Sequence, residues 1–109
     1  MSERLRQLID FLKESPDDPF LKYALATEHL KLGHVVDALR YYEELLTNHP
    51  AYVGTYYHLG KLYEALNRRE EAIAIYEQGM ATARSKGDMH ALSELQAVYR
   101  SAMGMEDDE

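Results

Sequence analysis

The chain has 109 residues, no cysteine and a formal net charge of -7 at pH 7, a size that makes one domain or one short repeat array. Without cysteine there are no disulfides and no thiolate metal sites. The negative balance argues against nucleic-acid binding, which needs a basic footprint, and against an anionic membrane surface.

Met1 to Ser15 is charged and amphipathic and lacks the apolar centre of a signal peptide. No run approaches the roughly 20 apolar residues of a membrane span. A soluble, cytoplasmic protein is expected. Apolar residues make up 46% of the chain, which is enough for a core.

The first predicted helix starts with Ser2 as its cap and carries an apolar stripe of Leu5, Leu8, Ile9 and Leu12 at helical spacing. Ser15-Pro16-Asp17-Asp18-Pro19 ends it, because proline cannot continue a helix and pushes the preceding residue out of helical geometry. Asp18 caps the second helix and Pro19 suits its first position. That helix runs to about Leu32 and stops at Gly33, where a left-handed conformation is expected.

A third helix over about Val35 to Thr47 puts Ala38, Leu39, Tyr42, Leu45 and Leu46 on one face, and Asn48-His49-Pro50 closes it. A fourth covers about Tyr52 to Leu66 and a fifth about Arg69 to Ser85, with Asn67 where Gly33 stood. Asparagine is the next most tolerant residue at such a turn. Gly87-Asp88 breaks the chain again, and a sixth helix runs to about Met103 with Leu92, Leu95 and Tyr99 on its packing face. The acidic tail over residues 104–109 has too little apolar content to pack and is expected to be disordered.

The chain repeats itself with a period of 34 residues, from Pro16 to Pro50. On that shift Tyr23 falls on Tyr57, Leu25 on Leu59, Leu32 on Leu66, Ala38 on Ala72, Tyr42 on Tyr76 and Glu43 on Glu77. Such a period is one helix–turn–helix unit, which must stack on a neighbour to bury its apolar faces. Small residues at Ala26, Gly60, Ala38 and Ala72 let paired helices approach closely, while Tyr63, Tyr42 and Tyr76 fill the adjoining gaps.

The second unit reads Tyr56-x2-Leu59-Gly60-x2-Tyr63, then Ala72-x3-Tyr76, and resembles the tetratricopeptide (TPR) repeat pattern. The first is more divergent: Leu25-Ala26-x2-His29, Ala38-x3-Tyr42, then Pro50, with Lys22 at the opening aromatic and His29 for the tyrosine. The second lacks the closing proline and has Arg84 there. Extended backwards, the frame puts Leu8, Phe11 and Leu12 on the apolar face of a preceding half unit. The resemblance implies an all-α fold of right-handed superhelical helix–turn–helix repeats, about six helices. One domain over 1–103 would comprise a half unit at 2–16, units at 19–50 and 53–86, and a half unit at 88–103.

The resemblance further implies a concave groove lined by the first helix of each unit. The corresponding residues are Phe20, Tyr23, Ala24, Thr27, Leu30 and Lys31 in the first unit and Gly54, Tyr57, His58, Lys61, Glu64 and Ala65 in the second. Tyr23 and Tyr57 would serve as rigid anchors, since tyrosine offers large contact area and a polar tip. Each lies two residues before a core leucine, about 200° around the helix, so neither shares the leucine's inner face, and removing either should cost little stability. On the bland reading these residues pack against the terminal helices of the same chain.

Some relatives hold an acidic peptide C-terminus in a two-carboxylate clamp of Lys and Asn one turn apart. Those places are Tyr23 and Thr27 here, so the clamp is missing. Lys61 with His58 offers only a weak carboxylate grip.

Chemistry-bearing patterns are sparse. The five histidines, at positions 29, 34, 49, 58 and 90, include no pair at the i, i+4 spacing that shares a metal along one helix, so no metal site is expected. There is no Gly-x-Ser-x-Gly and no Gly-rich phosphate loop. Glu43, Glu44, Glu70, Glu71 and Glu77 fall on polar helix faces. No catalytic residue and no cofactor is expected.

The expected function is a non-enzymatic protein-interaction module that binds a partner peptide or helix in its groove. The alternative is a structural homo-oligomer in which another copy covers the groove or the end faces, because short arrays expose their end helices.

Overall fold

The computed structural model describes residues 2–104. They form six helices: α1 (Glu3–Glu14), α2 (Pro19–Lys31), α3 (Val35–Asn48), α4 (Gly54–Ala65), α5 (Arg69–Lys86) and α6 (Met89–Met103). The expected acidic tail lies, after Gly104, outside the described residues.

The helix ends follow local chemistry. Ser2 Oγ accepts from the Leu5 amide at 3.0 Å, and Asp18 Oδ1 accepts from the Phe20 amide at 2.9 Å. Asp88 Oδ1 does the same for Ala91 at 3.0 Å. Each satisfies an amide that the first helical turn leaves without an intrahelical partner. Helix α4 begins at Gly54, two residues after the expected start at Tyr52.

Three corners share one backbone clip. Gly33, Asn67 and Gly87 have φ of 82°, 62° and 71°. At each, two amides reach back to the last helical carbonyls: Gly33 to Leu30 and His34 to His29, Asn67 to Glu64 and Arg68 to Tyr63, Gly87 to Arg84 and Asp88 to Ala83. This is the paired closure that a left-handed residue after a helix permits.

Two compact units result, one up to Tyr52 and one from Val53. In the first, α2 packs on α3 and α1 packs on α2. Leu5, Leu8 and Leu25 are buried together, with Ile9, Leu12, Leu21, Ala24 and Tyr41 around them. Tyr42, Ala38 and Leu45 bring the inner face of α3 out of water completely. Phe11, expected on the apolar face of α1, is 53% exposed instead. Leu5, Leu8 and Leu12 already fill the 3.6-residue stripe, and Phe11 falls beside it.

Lys22 stands where Tyr56 opens the second unit, and it too is buried. Its ammonium lies 4.0 Å from a Glu44 carboxylate oxygen. The aliphatic stem takes the place of a ring, and the charge at its end is paired.

In the second unit α5 packs on α4 and α6, and α6 also touches α4. Here backbone meets ring. A Cβ built on Gly60 would sit 2.1 Å from Tyr76 Cε1, and one on Gly79 would sit 2.5 Å from Tyr56 Cβ and 3.1 Å from Leu95 Cδ1. Ala72, Leu59 and Tyr76 have no exposure. Burying a large side chain this completely is worth about 1.5–3 kcal/mol each. Arg69 Nε donates to the Ala102 carbonyl at 2.7 Å and so holds the end of α6 against α5.

Truncating Tyr76 to Ala should cost about 3–5 kcal/mol in urea unfolding. Gly60→Leu and Gly79→Leu should each cost at least about 1–3 kcal/mol by overpacking. An unchanged unfolding midpoint for either glycine variant would contradict the close approach.

Candidate protein-interaction surface

The candidate residues sit on α2 in the first unit and on α4 in the second, and each face has its own neighbours. On α2, Phe20 projects from the first turn and is 54% exposed. Tyr23 is half-buried. Its ring meets Tyr42 edge-on at 6.4 Å between centroids and Tyr52 at 5.7 Å. Burial pushes its hydroxyl pKa up, partly offset by a hydrogen bond with Thr27.

Thr27 Oγ1 also lies 3.1 Å from the Tyr42 hydroxyl. The two positions at which a carboxylate clamp would need Lys and Asn are therefore joined to Tyr42 by hydroxyls and rings. Leu30 is half-buried one turn further along. Tyr23 thus contributes to the packing of its own unit, more than its place in the repeat suggested.

On α4, Tyr57 and His58 are half-buried and meet edge-to-face at 5.4 Å. Burial lowers the His58 pKa below the usual imidazole value, against a smaller opposing effect of Glu94. Lys61 is exposed. Glu64 is engaged: its carboxylate accepts the hydroxyl of the buried Tyr76 at 2.5 Å. Burial and that carboxylate together drive the Tyr76 hydroxyl far above the ordinary phenol range. Glu64 therefore satisfies a core hydroxyl at the edge of the face, a role that no spacing rule signals.

The corner between α2 and α3 holds something helical spacing does not reveal. His29 Nδ1 and His34 Nδ1 lie 3.1 Å apart. The i, i+4 rule assumes one continuous helix, whereas the left-handed Gly33 folds His34 back over His29. His29 stacks on Tyr41 at 5.7 Å with 15° between planes, and burial lowers its pKa, with Asp37 the largest opposing influence. Asp37 accepts from Arg40 at 3.0 Å.

The tetratricopeptide repeat family model matches residues 29–97. The chain belongs to the tetratricopeptide repeat family. A crystal structure of a TPR domain protein from Salinibacter ruber is 54% identical and superposes with a TM-score of 0.78, over 82% of this chain and 99% of that one. A solution structure of a Bordetella parapertussis protein is 26% identical with a TM-score of 0.79, over 94% and 90% of the two chains. A TPR repeat-containing protein of Pseudomonas aeruginosa is 28% identical over 89 residues, 82% of this chain and 85% of the relative. The all-α TPR fold expected from the repeat is thus the fold of this chain, and it is the fold of a protein-interaction module. Among the described residues no helix is long and apolar enough to cross a membrane.

Two outcomes follow for this TPR surface. Phe20→Ala should leave stability within about 0.5 kcal/mol, as an exposed substitution does. Tyr23→Ala, which removes two ring contacts as well as buried area, should cost about 1–3 kcal/mol by chemical denaturation.

A third outcome is pH dependence. His29 and His58 have folded-state pKa values below the ordinary 6.5, so the unfolded chain takes up protons first as pH falls through that value. Stability should therefore be full above about pH 6.5 and decline towards the lower folded values. His58→Gln should flatten the decline in urea midpoints between about pH 7.5 and pH 5.5.

Proposed function

We propose that this TPR protein is a non-enzymatic interaction module that captures a segment of a partner protein on the α2 and α4 faces. Phe20, Tyr23, Thr27 and Leu30 serve on the first, and Tyr57, His58, Lys61 and Glu64 on the second. The observation that carries the reading is Phe20: a large apolar ring, 54% exposed, on the first turn of a helix whose other apolar residues are at least half-buried. Exposed aromatics flanked by polar groups are what contact sites offer.

Family membership supports a protein partner over a small molecule. Tyr23 and Tyr57 supply rigid rims, Lys61 supplies a charge for an acidic side chain, and Glu64 is already committed to Tyr76. The chain's net charge of -7 disfavours a nucleic-acid partner.

A second copy of the chain is the other occupant that specific observations favour. Met89, at the start of α6, is 64% exposed, and Val36, at the start of α3, is 79% exposed. Apolar groups on such helices invite self-association in short repeat arrays.

The two readings separate by experiment. Peptides selected from a display library should lose about tenfold or more in affinity with Phe20→Ala, and a smaller factor with Lys61→Ala, in folded variants. Light scattering across concentration should show a monomer. A dimer dissolved by Val36→Lys or Met89→Lys, with no peptide selected, would establish the oligomer reading instead.

A further inference from the structure

We propose that His29, His34 and Asp37 form a divalent transition-metal site at the α2–α3 corner, taking Zn2+ through two imidazole nitrogens and one carboxylate oxygen. The three residues each offer a ligand atom, and these atoms lie within 4.8 Å of one another. The two Nδ1 atoms are already 3.1 Å apart. Two ligands at zinc–nitrogen distances of about 2.0–2.1 Å and near-tetrahedral angles stand roughly 3.3 Å from each other, so the imidazole pair is spaced for one ion. Two nitrogens and one oxygen suit zinc with water in the remaining position.

The backbone brings the two residues to the same corner. The His34 amide donates to the His29 carbonyl at 2.8 Å, part of the clip that Gly33 closes. His34 precedes α3 and makes no side-chain cap bond, so its ring is not committed to the helix end. The Tyr41 ring stacked on His29 fixes the other imidazole.

The same corner in the second unit shows what the arrangement does without a ligand set. On the 34-residue shift His29, His34 and Asp37 become Tyr63, Arg68 and Glu71. Arg68 lies over the Tyr63 ring at 4.5 Å and holds Glu71 through two hydrogen bonds. One clip thus gathers the side chains of three repeat positions in both units. In the second it joins a ring, a cation and a carboxylate. In the first all three positions carry metal-ligating groups.

One cation lies beside the site. Arg40 Nη2 is 3.0 Å from Asp37 Oδ1, so it competes with the ion for the carboxylate. With three protein ligands, all of them exposed or half-exposed, and this competitor, the expected dissociation constant is roughly micromolar. Removing the guanidinium should tighten binding, an effect opposite in sign to removal of a ligand.

The test is calorimetric titration of Zn2+ into the untagged, chelator-treated full chain, with circular dichroism as the check on folding. One ion per chain is expected, with saturation. His34→Ala and Asp37→Asn should each weaken binding by tenfold or more while the helices remain, and Arg40→Gln should strengthen it several-fold. His90→Ala is the control, because His90 Nε2 lies 3.3 Å from Glu94 and offers a rival two-ligand pair. The proposal is overturned if no saturable binding occurs below about 1 mM, or if His34→Ala binds as the parent does and His90→Ala does not.

Discussion

The second unit depends on two places where a helix backbone rests directly on an aromatic ring or its stem: Gly60 against Tyr76 and Gly79 against Tyr56. Glycine is required there because any side chain would have to displace a ring that is itself buried. Leu59, Ala72 and Ile75 are buried in the same unit. The Tyr76 hydroxyl ends at Glu64, so the ring is inserted to a defined depth and its polar end is satisfied at the edge of the core. In the first unit Ala26, Ala38 and Tyr42 are all fully buried, and the Tyr42 hydroxyl reaches Thr27.

This packing limits what is left for binding. A tyrosine buried to serve the core cannot serve a partner, and a carboxylate that accepts a core hydroxyl is half-spent. Phe20, Lys61 and parts of Tyr57 remain presentable, whereas Tyr23 is shared between the surface and the cluster it makes with Tyr42 and Tyr52. On the proposed function, recognition falls to the residues that the helix pairs do not consume. The charges act mainly within a turn of their own helix, as in Arg40 with Asp37 and Arg68 with Glu71. Exposed pairs of that kind add little to stability, about 0–1 kcal/mol each.

Much of the fold was legible because the signals are local and repeated. Proline and glycine punctuate the chain at the helix ends, Ser2 and Asp18 cap where they were expected to, and the left-handed places at Gly33 and Asn67 follow from the lack or tolerance of a Cβ. The period predicted the buried rings at Tyr42, Tyr63 and Tyr76. Phe11 was misplaced because Leu5, Leu8 and Leu12 already fill the apolar stripe of α1, and the 34-residue frame does not resolve a position just beside it. Gly79 was overlooked because its counterpart on the 34-residue shift is Leu45, so the period carries no trace of the contact with α6.

By itself, the order of residues determined the helices, their number, their turns and the family. Each of these depends on interactions between residues a few positions apart or on a repeat that can be counted. Only the tertiary structure decided how each surface residue is used: that Glu64 belongs to Tyr76, that Lys22 is buried beside Glu44, and that His29, His34 and Asp37 meet across a corner. The reason is geometric. A left-handed turn reverses the chain and brings together side chains whose spacing in sequence no helical rule connects, and burial then fixes which of their polar atoms remain available.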